Sequence, residues 1–355
     1  MNKCLKYEIL RVVLVMLVVI GHATYYTIKT PFGGIFYTDM MINNNIQDTY
    51  FHTLVSLLTN WIYTFHMPAF FALSGTILAL QIKNKGCINF KKFFIKKFKR
   101  LIVPLIFVWF FWNIPIKLVS GYYMYVNMEW KHILLQIFFP YSVYLWFLEA
   151  LFISTLIIYV VFKYIKENQY RFLFITFLWI IGCFLEKLLG EYNPLGNPLK
   201  YVIWLWIGMY IENFVEKIKE WKISNIFLGI LIIIIQFFLW YELKDVKYIN
   251  YICLNTLYPL LMIIALYVII NYYEKFLYKY KNRILSISTY SYGVYLYAEP
   301  LNYTIIYYFV NLFGIDSLGS EYYASILYFA RIIISVSVAI IIIKMFKILK
   351  LKYFI

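Results

Sequence analysis

Ile223-Ser-Asn-Ile-Phe-Leu-Gly-Ile-Leu-Ile-Ile-Ile-Ile-Gln-Phe-Phe-Leu-Trp-Tyr241 runs for 19 residues without a charged side chain. Lysines stand on both sides of it, Lys217, Lys219 and Lys222 before and Lys244 and Lys247 after. A helix needs about 20 mostly apolar residues to cross the hydrocarbon core of a bilayer, and inside that core it must satisfy its own backbone hydrogen bonds. Working outward in both directions, similar runs recur at 8–28, 57–80, 101–119, 143–162, 171–189, 200–213, 250–271, 286–308 and 323–345. With 223–241 they make ten expected spans. The expected fold class is therefore an all-α integral membrane protein with about ten transmembrane helices.

The composition of the 355 residues agrees: 63% are hydrophobic, 22% aromatic and 14% charged, with a mean hydropathy of +0.73. Soluble domains carry about 25% charged residues, so an ordinary water-soluble body is excluded. A net charge of +16 would suggest nucleic acid in a soluble chain, but here the basic residues sort by side. With the amino terminus inside, 25 of the 33 Lys and Arg fall in cytoplasmic segments, eight of them between Lys83 and Arg100. Seven (Lys29, Lys117, Lys131, Lys187, Lys200, Lys244 and Lys247) fall outside, and Arg331 lies within the last span. That asymmetry follows the positive-inside rule and places both termini in the cytoplasm, with no nucleic-acid partner expected. The run Ile9–Ile28 lacks a small-residue cleavage site and reads as a retained first span. Cys4, Cys87, Cys183 and Cys253 are too scattered for a disulfide framework or a metal site. The longest loop, Lys29 to about Ser56, is too short for a soluble domain, so residues 1–355 read as a single transmembrane domain and any chemistry belongs in or at the bilayer.

Ionisable groups at membrane depth are costly and mark function by default. Arg11 and His22 are 11 residues apart in the first span, close to three helical turns and roughly 16 Å, so they share one face. Glu8 precedes Arg11 by three residues and can pair with it. His66 sits before Pro68, which is expected to kink the second span. Asn113, Glu149, Glu299 and Arg331 fall in spans three, four, nine and ten. Together with His22 and His66 they lie about 9–13 Å from the outer ends of their helices, as one outward polar pocket would require. His66 and Asn113 fit interhelical hydrogen bonding as well as they fit a role in chemistry, and Glu299 with Arg331 is expected to be a structural ion pair. His22, with a second unusual group on its own face, is the preferred functional residue. Phe90–Pro104 is a basic aromatic segment, suited either to anionic headgroups or to a cytoplasmic phosphate. Gly75 and Ala79 form a small-residue face suited to close helix packing.

The chain resembles the membrane acyltransferases of the acyltransferase 3 type. Glu8-Ile-Leu-Arg11, followed ten residues on by Gly21-His22, is similar to that family's opening D-x-L-R…G-H motif, with Glu8 where Asp is common. Phe65-His66-Met67-Pro68-Ala69-Phe70-Phe71-Ala72-Leu73-Ser74-Gly75 resembles its second-span signature. Lys97-Phe98-Lys99-Arg100 to Pro104 resembles R-x-x-R-x-x-x-P, with Lys97 replacing the first Arg. Leu145-Trp146-Phe147-Leu148 and Ser291-Tyr292-Gly293-Val294-Tyr295-Leu296 resemble two later motifs. The family often has His two residues after the last of these, where this chain has Ala298 followed by Glu299-Pro300.

The resemblance implies about ten spans and a multi-pass protein of the cell membrane that O-acylates carbohydrate. It implies cytoplasmic acyl-CoA, usually acetyl-CoA, as donor substrate with no permanently bound cofactor, and a hydroxyl of an extracytoplasmic polysaccharide or glycolipid as acceptor. His22 would be the catalytic histidine, Arg11 would help hold the donor, and Lys97 and Arg100 would meet its phosphates. A histidine near its working pKa can serve as general base or as a transiently acylated nucleophile. Glu149 or Glu299 is a candidate to orient His22 or contact sugar hydroxyls, and Asn113 or Arg331 to stabilise an oxyanion. Membrane lipids are the remaining partner. The alternative is a glycan or lipid transporter, against which stands the lack of paired Gly/Pro-interrupted segments in two halves.

Overall fold

A computed structural model describes residues 5–30, 33–85, 89–124, 144–190, 194–219, 225–351 and 354. Cys4, Cys87, Lys3, Lys131, Lys222 and Lys352 lie outside the described residues. The elements are α1 (Leu5–His22), β1 (Thr27–Thr30), β2 (Gly33–Phe36), α2 (Tyr37–Asn43), α3 (Tyr50–Tyr63), α4 (His66–Lys85) and α5 (Phe90–Val108). A π-helical turn (Trp109–Asn113) leads to α6 (Ile114–Val119). There follow α7 (Trp146–Tyr164), α8 (Asn168–Leu189), α9 (Gly196–Lys219), α10 (Asn225–Leu243), α11 (Lys247–Asn255), α12 (Leu257–Leu277), α13 (Lys281–Tyr297), α14 (Leu301–Phe313) and α15 (Glu321–Ile348).

Seven stretches among the described residues are long and apolar enough to cross a membrane: Tyr50–Lys83, Phe90–Val119, Trp146–Tyr164, Asn168–Leu189, Ile226–Leu243, Lys247–Glu274 and Glu321–Ile348. The other three expected spans are helical but differ in kind. The 18-residue α1 carries Lys6, Glu8 and Arg11, and α9 carries Lys200, Glu212, Glu216 and Lys217. The stretch 286–308, expected as one span, is two helices, α13 and α14, because Pro300 has no N–H to continue the ladder. The expected kink at Pro68 is likewise a break. Thr64 and Phe65 form a turn, and Pro68 falls in the first turn of α4, where its missing N–H is not needed. The expected loop at 29–56 contains an antiparallel hairpin, with Thr27 opposite Phe36 and Thr30 opposite Gly33.

The helical membrane class is written on the surface. On α8, Leu173, Phe177, Ile180, Phe184 and Leu188 are exposed, and on α10 so are Phe227, Ile230, Ile234 and Phe238. Such stripes would be untenable in water and are ordinary against lipid.

The chain forms two compact units, each assembled from three stretches: 1–14, 61–97 and 149–289 in the first, and 15–60, 98–148 and 290–355 in the second. In the first unit α4 and α9 meet backbone to backbone. A Cβ on Gly75 would lie 1.9 Å from the Leu205 carbonyl oxygen, and one on Gly208 would lie 1.9 Å from that of Ala72. Close packing at Gly75 is thus real, and Ala72 joins it at the crossing. Thr76 donates to the Gly208 carbonyl at 2.6 Å and shares a hydrogen bond with the Tyr267 hydroxyl at 2.6 Å. Gln236, the polar residue amid the isoleucines of the quoted stretch, is fully buried. It accepts from the Trp61 indole at 2.6 Å and donates to the Thr64 hydroxyl at 3.1 Å. Lys6 reaches Glu212 at 2.6 Å and Asn271 at 2.9 Å. Cys183 and Cys253 are free thiols.

In the second unit the hairpin packs on α6's end. The Gly34 N–H donates to the Tyr122 carbonyl at 2.8 Å, and at Gly33 (φ 127°) a Cβ would fall 2.6 Å from that same oxygen. Tyr26, Ile35, Tyr122, Tyr303, Ile306 and Leu327 share the core beneath it.

Overpacking a crossing of this kind costs about 1–3 kcal/mol. Gly208→Ala should therefore lower the thermal midpoint of the detergent-solubilised protein. Gly196→Ala, where the nearest atom to a new Cβ is 3.3 Å away, should leave it unchanged or higher.

Candidate active site

The last carbonyls of any helix lack intrahelical donors. At the end of α1 three side chains from the second unit supply them. Arg331, fully buried on α15, donates from Nη1 to the Tyr25 carbonyl at 2.8 Å and from Nη2 to the His22 carbonyl at 3.2 Å. His52 on α3 sets Nε2 against the Thr24 carbonyl at 2.9 Å and Nδ1 against the Asp48 carboxylate at 2.8 Å. Its ring stacks on Tyr26 at 3.9 Å between centroids, 6° from parallel. The Thr24 hydroxyl turns back to the Gly21 carbonyl at 2.7 Å. The result is a fixed exit from α1, with the His22 ring half-buried and edge-on to Tyr25 at 5.9 Å. A cation is the suitable donor here, because the helix C-terminus carries the negative end of the macrodipole.

The expected Glu299–Arg331 ion pair is not formed. Both terminal nitrogens of Arg331 that donate do so to backbone carbonyls, while Glu299 accepts from the Tyr303 hydroxyl four residues on. Glu299 sits in the break between α13 and α14, next to buried Ala298 and Pro300. Asn113, fully buried, closes the π-helical turn in which the Ile114 N–H reaches back five residues to the Trp109 carbonyl. One residue further, Pro115 excludes an ordinary α-turn carbonyl, which accounts for the widening.

The remaining expected residues have partners of their own. In the first unit, Arg11 pairs with Glu8 at 2.8 Å, as expected. His66 is buried against Tyr63, with rings 4.6 Å apart, and its Nδ1 donates to the Ile62 carbonyl at 3.2 Å, a hydrogen bond across the break between α3 and α4. Glu149 is half-buried in the first turn of α7. Lys97 is half-buried, with its ammonium 5.6 Å above the Phe93 ring. In the second unit Arg100 is exposed on α5, and its carbonyl accepts from the Tyr292 hydroxyl at 2.7 Å. Tyr295 donates to the Tyr144 carbonyl at 2.8 Å and packs edge-on to Phe147 at 5.8 Å. Three of the motifs quoted above are thereby tied together within one unit. No group of three His, Cys, Asp or Glu among the described residues is arranged to hold a metal ion.

Two residues that matter here were not singled out from the sequence. Lys117, counted there as an outside loop residue, is fully buried, its ammonium 4.1 Å from the Tyr122 ring centroid. Burial pushes the Tyr122 phenol above its ordinary value, so it stays a neutral hydroxyl beneath that ammonium. His52 carried no motif at all. The i, i+4 spacing of Trp109, Asn113 and Lys117 is the signal that points to the first.

These features define a multi-pass membrane protein with a buried polar centre at the end of its first helix. A family model described as an acyltransferase domain matches residues 5–345, and the chain belongs to that family, acyltransferase 3. It is a membrane acyltransferase. Comparison with curated proteins and with solved structures returned no match.

Removing Arg331 removes its two hydrogen bonds to the Tyr25 and His22 carbonyls, and hydrogen bonds to charged groups are each worth about 1.5–3 kcal/mol. Arg331→Leu should lower the thermal midpoint strongly and reduce acyl transfer per folded molecule. Arg331→Lys should fall between, since an ammonium cannot fork to both carbonyls as a guanidinium does. Equal stability and activity in all three would remove the clamp from the account.

Proposed function

We propose that this acyltransferase moves an acetyl group from cytoplasmic acetyl-CoA to a hydroxyl of an extracytoplasmic polysaccharide or glycolipid, at the cell membrane, with His22 as the catalytic group. The observation that carries the reading is the grip of a buried Arg331 on the carbonyls of His22 and Tyr25. A guanidinium committed at membrane depth to the backbone of His22 and Tyr25 supports a role for this end of the helix.

The chemistry is acyl transfer without net redox change. In one route the imidazole of His22 takes the proton of the acceptor hydroxyl as its oxygen attacks the thioester carbonyl. The tetrahedral intermediate collapses, the C–S bond breaks, and the CoA thiolate leaves with a proton from the imidazolium. In the other route an imidazole nitrogen attacks first, CoA thiol departs, and the acyl-imidazole is then opened by the sugar hydroxyl. Both end at an O-acyl sugar and free CoA, and a covalent acyl-protein after rapid quench separates them. Arg11, paired with Glu8 one turn away on the same helix, belongs on the donor side in the proposed orientation, with both termini cytoplasmic. Lys97 and Arg100, one turn apart on α5 amid the basic run, suit the polyanionic CoA phosphates.

His22→Ala should abolish transfer of labelled acetyl from acetyl-CoA to glycan while the protein keeps its thermal midpoint; full activity in this variant would overturn the role. Lys97→Ala with Arg100→Ala should raise the KM for acetyl-CoA about tenfold or more with little change in the KM for acceptor. A transporter would leave acetyl-CoA unconsumed in every variant.

A further inference from the structure

The second unit holds a set of buried polar atoms that the reaction above does not use. On one face of the π-helical turn and α6 stand Trp109, Asn113 and Lys117, at i, i+4 and i+8. Asn113 is fully buried, and neither its Oδ1 nor its Nδ2 has a hydrogen-bond partner; the buried indole N–H of Trp109 has none either. Across from them is the helix break. Glu299 there accepts from Tyr303 with one oxygen, while its buried Oε2 is without a partner, and so are both amide atoms of Asn302, one turn further along. Lys117 joins the two sides. Its ammonium is 5.7 Å from the Trp109 ring and 5.8 Å from the Tyr303 ring.

Buried polar groups are nearly always paired, so a concentration of unpaired ones requires a reason. The chemistry of these atoms specifies the partner they fit. The set contains both donors (the Trp109 N–H and the two carboxamide NH2 groups) and acceptors (the two carboxamide oxygens and Glu299 Oε2). A phosphate or carboxylate accepts only, so it would leave the acceptors unserved and would face the Glu299 carboxylate. An acyl chain would serve none of them. Groups that donate and accept at the same atom, which are hydroxyls, serve all of them, and the rings of Trp109 and Tyr303 suit the apolar face of a pyranose.

We propose that Trp109, Asn113, Lys117, Glu299, Asn302 and Tyr303 form the subsite that binds an uncharged, hydroxyl-rich sugar residue of the acceptor. The proposal rests on the carbohydrate-acceptor reading above and sharpens it, because it excludes a uronate or phosphosugar at this position. The subsite carries one amine, on Lys117, and one carboxyl group, on Glu299, and the selectivity lies in hydroxyl geometry.

The test uses the full-length protein in nanodiscs, labelled acetyl-CoA, and the methyl glycosides of glucose, galactose, mannose and N-acetylglucosamine against methyl glucuronide. The unaltered protein should acetylate at least one neutral glycoside and favour it over the glucuronide. Asn113→Leu removes two unpaired buried atoms at similar volume, so it should keep or raise the thermal midpoint while raising the KM for the neutral glycoside at least tenfold and leaving the KM for acetyl-CoA unchanged. Asn302→Leu should show the same signature and stands in should the first variant not fold. A lowered midpoint with an unchanged acceptor KM in either variant would make these atoms structural and overturn the subsite, as would preference for the glucuronide. If the unaltered protein acetylates none of these sugars, the acceptor reading fails and takes the subsite with it. Transfer that depends on His22 but ignores both asparagines overturns the subsite alone.

Discussion

Arg331 is the residue on which the second unit turns. A guanidinium taken out of water and placed at membrane depth is costly unless every direction in which it donates finds an acceptor. Two of its nitrogens meet the carbonyls of His22 and Tyr25 at the end of α1, while its buried Nε has no hydrogen-bond partner. The same exit is held by His52 at Thr24 and by stacking on Tyr26, and α3, which carries His52, is itself capped at its start by Glu321 of α15 through the Tyr50 and Phe51 N–H groups. α15 thus contributes both ends of the arrangement, a carboxylate at a helix start and a guanidinium at a helix end, each matched to the local dipole.

Elsewhere the chain treats polar groups in the bilayer conventionally. Gln236, Thr76 and His66 are buried and bonded, and Lys6 and Lys200 lie against Glu212 and Glu186. Satisfied groups of this kind hold helices together. Unpaired buried atoms occur in both units, on Thr176, Trp179, Trp206 and Tyr258 among others in the first, and on Trp109, Asn113, Glu299 and Asn302 in the second.

Much of the fold was legible because the bilayer imposes a simple rule on apolar length, and among the described residues every run read as a span is mainly helical. What escaped the rule was backbone detail set by single residues. Pro300 divides the ninth span, Pro115 widens the third, and Gly33 admits a hairpin into what reads as loop, none of which alters hydropathy. Of the site, His22 and the Glu8–Arg11 pair were readable from helical spacing within one segment. Arg331 was visible as an oddity but assigned the wrong partner, because opposite charge suggests Glu299 while a contact to backbone carbonyls more than 300 residues away in sequence leaves no trace in residue type. Lys117 was hidden by counting: a lysine near a span end resembles a topology signal until its burial is known.

The account joins a donor on one side of the membrane to an acceptor on the other through His22, and sidedness tests that claim most directly. Sealed inside-out vesicles loaded with glycan acceptor are given labelled acetyl-CoA in the medium. The account predicts that labelled ester accumulates on lumenal glycan while the vesicles stay sealed, and that the His22→Ala protein yields none. Label appearing only after detergent opens the vesicles, or only on glycan added to the medium, would contradict it.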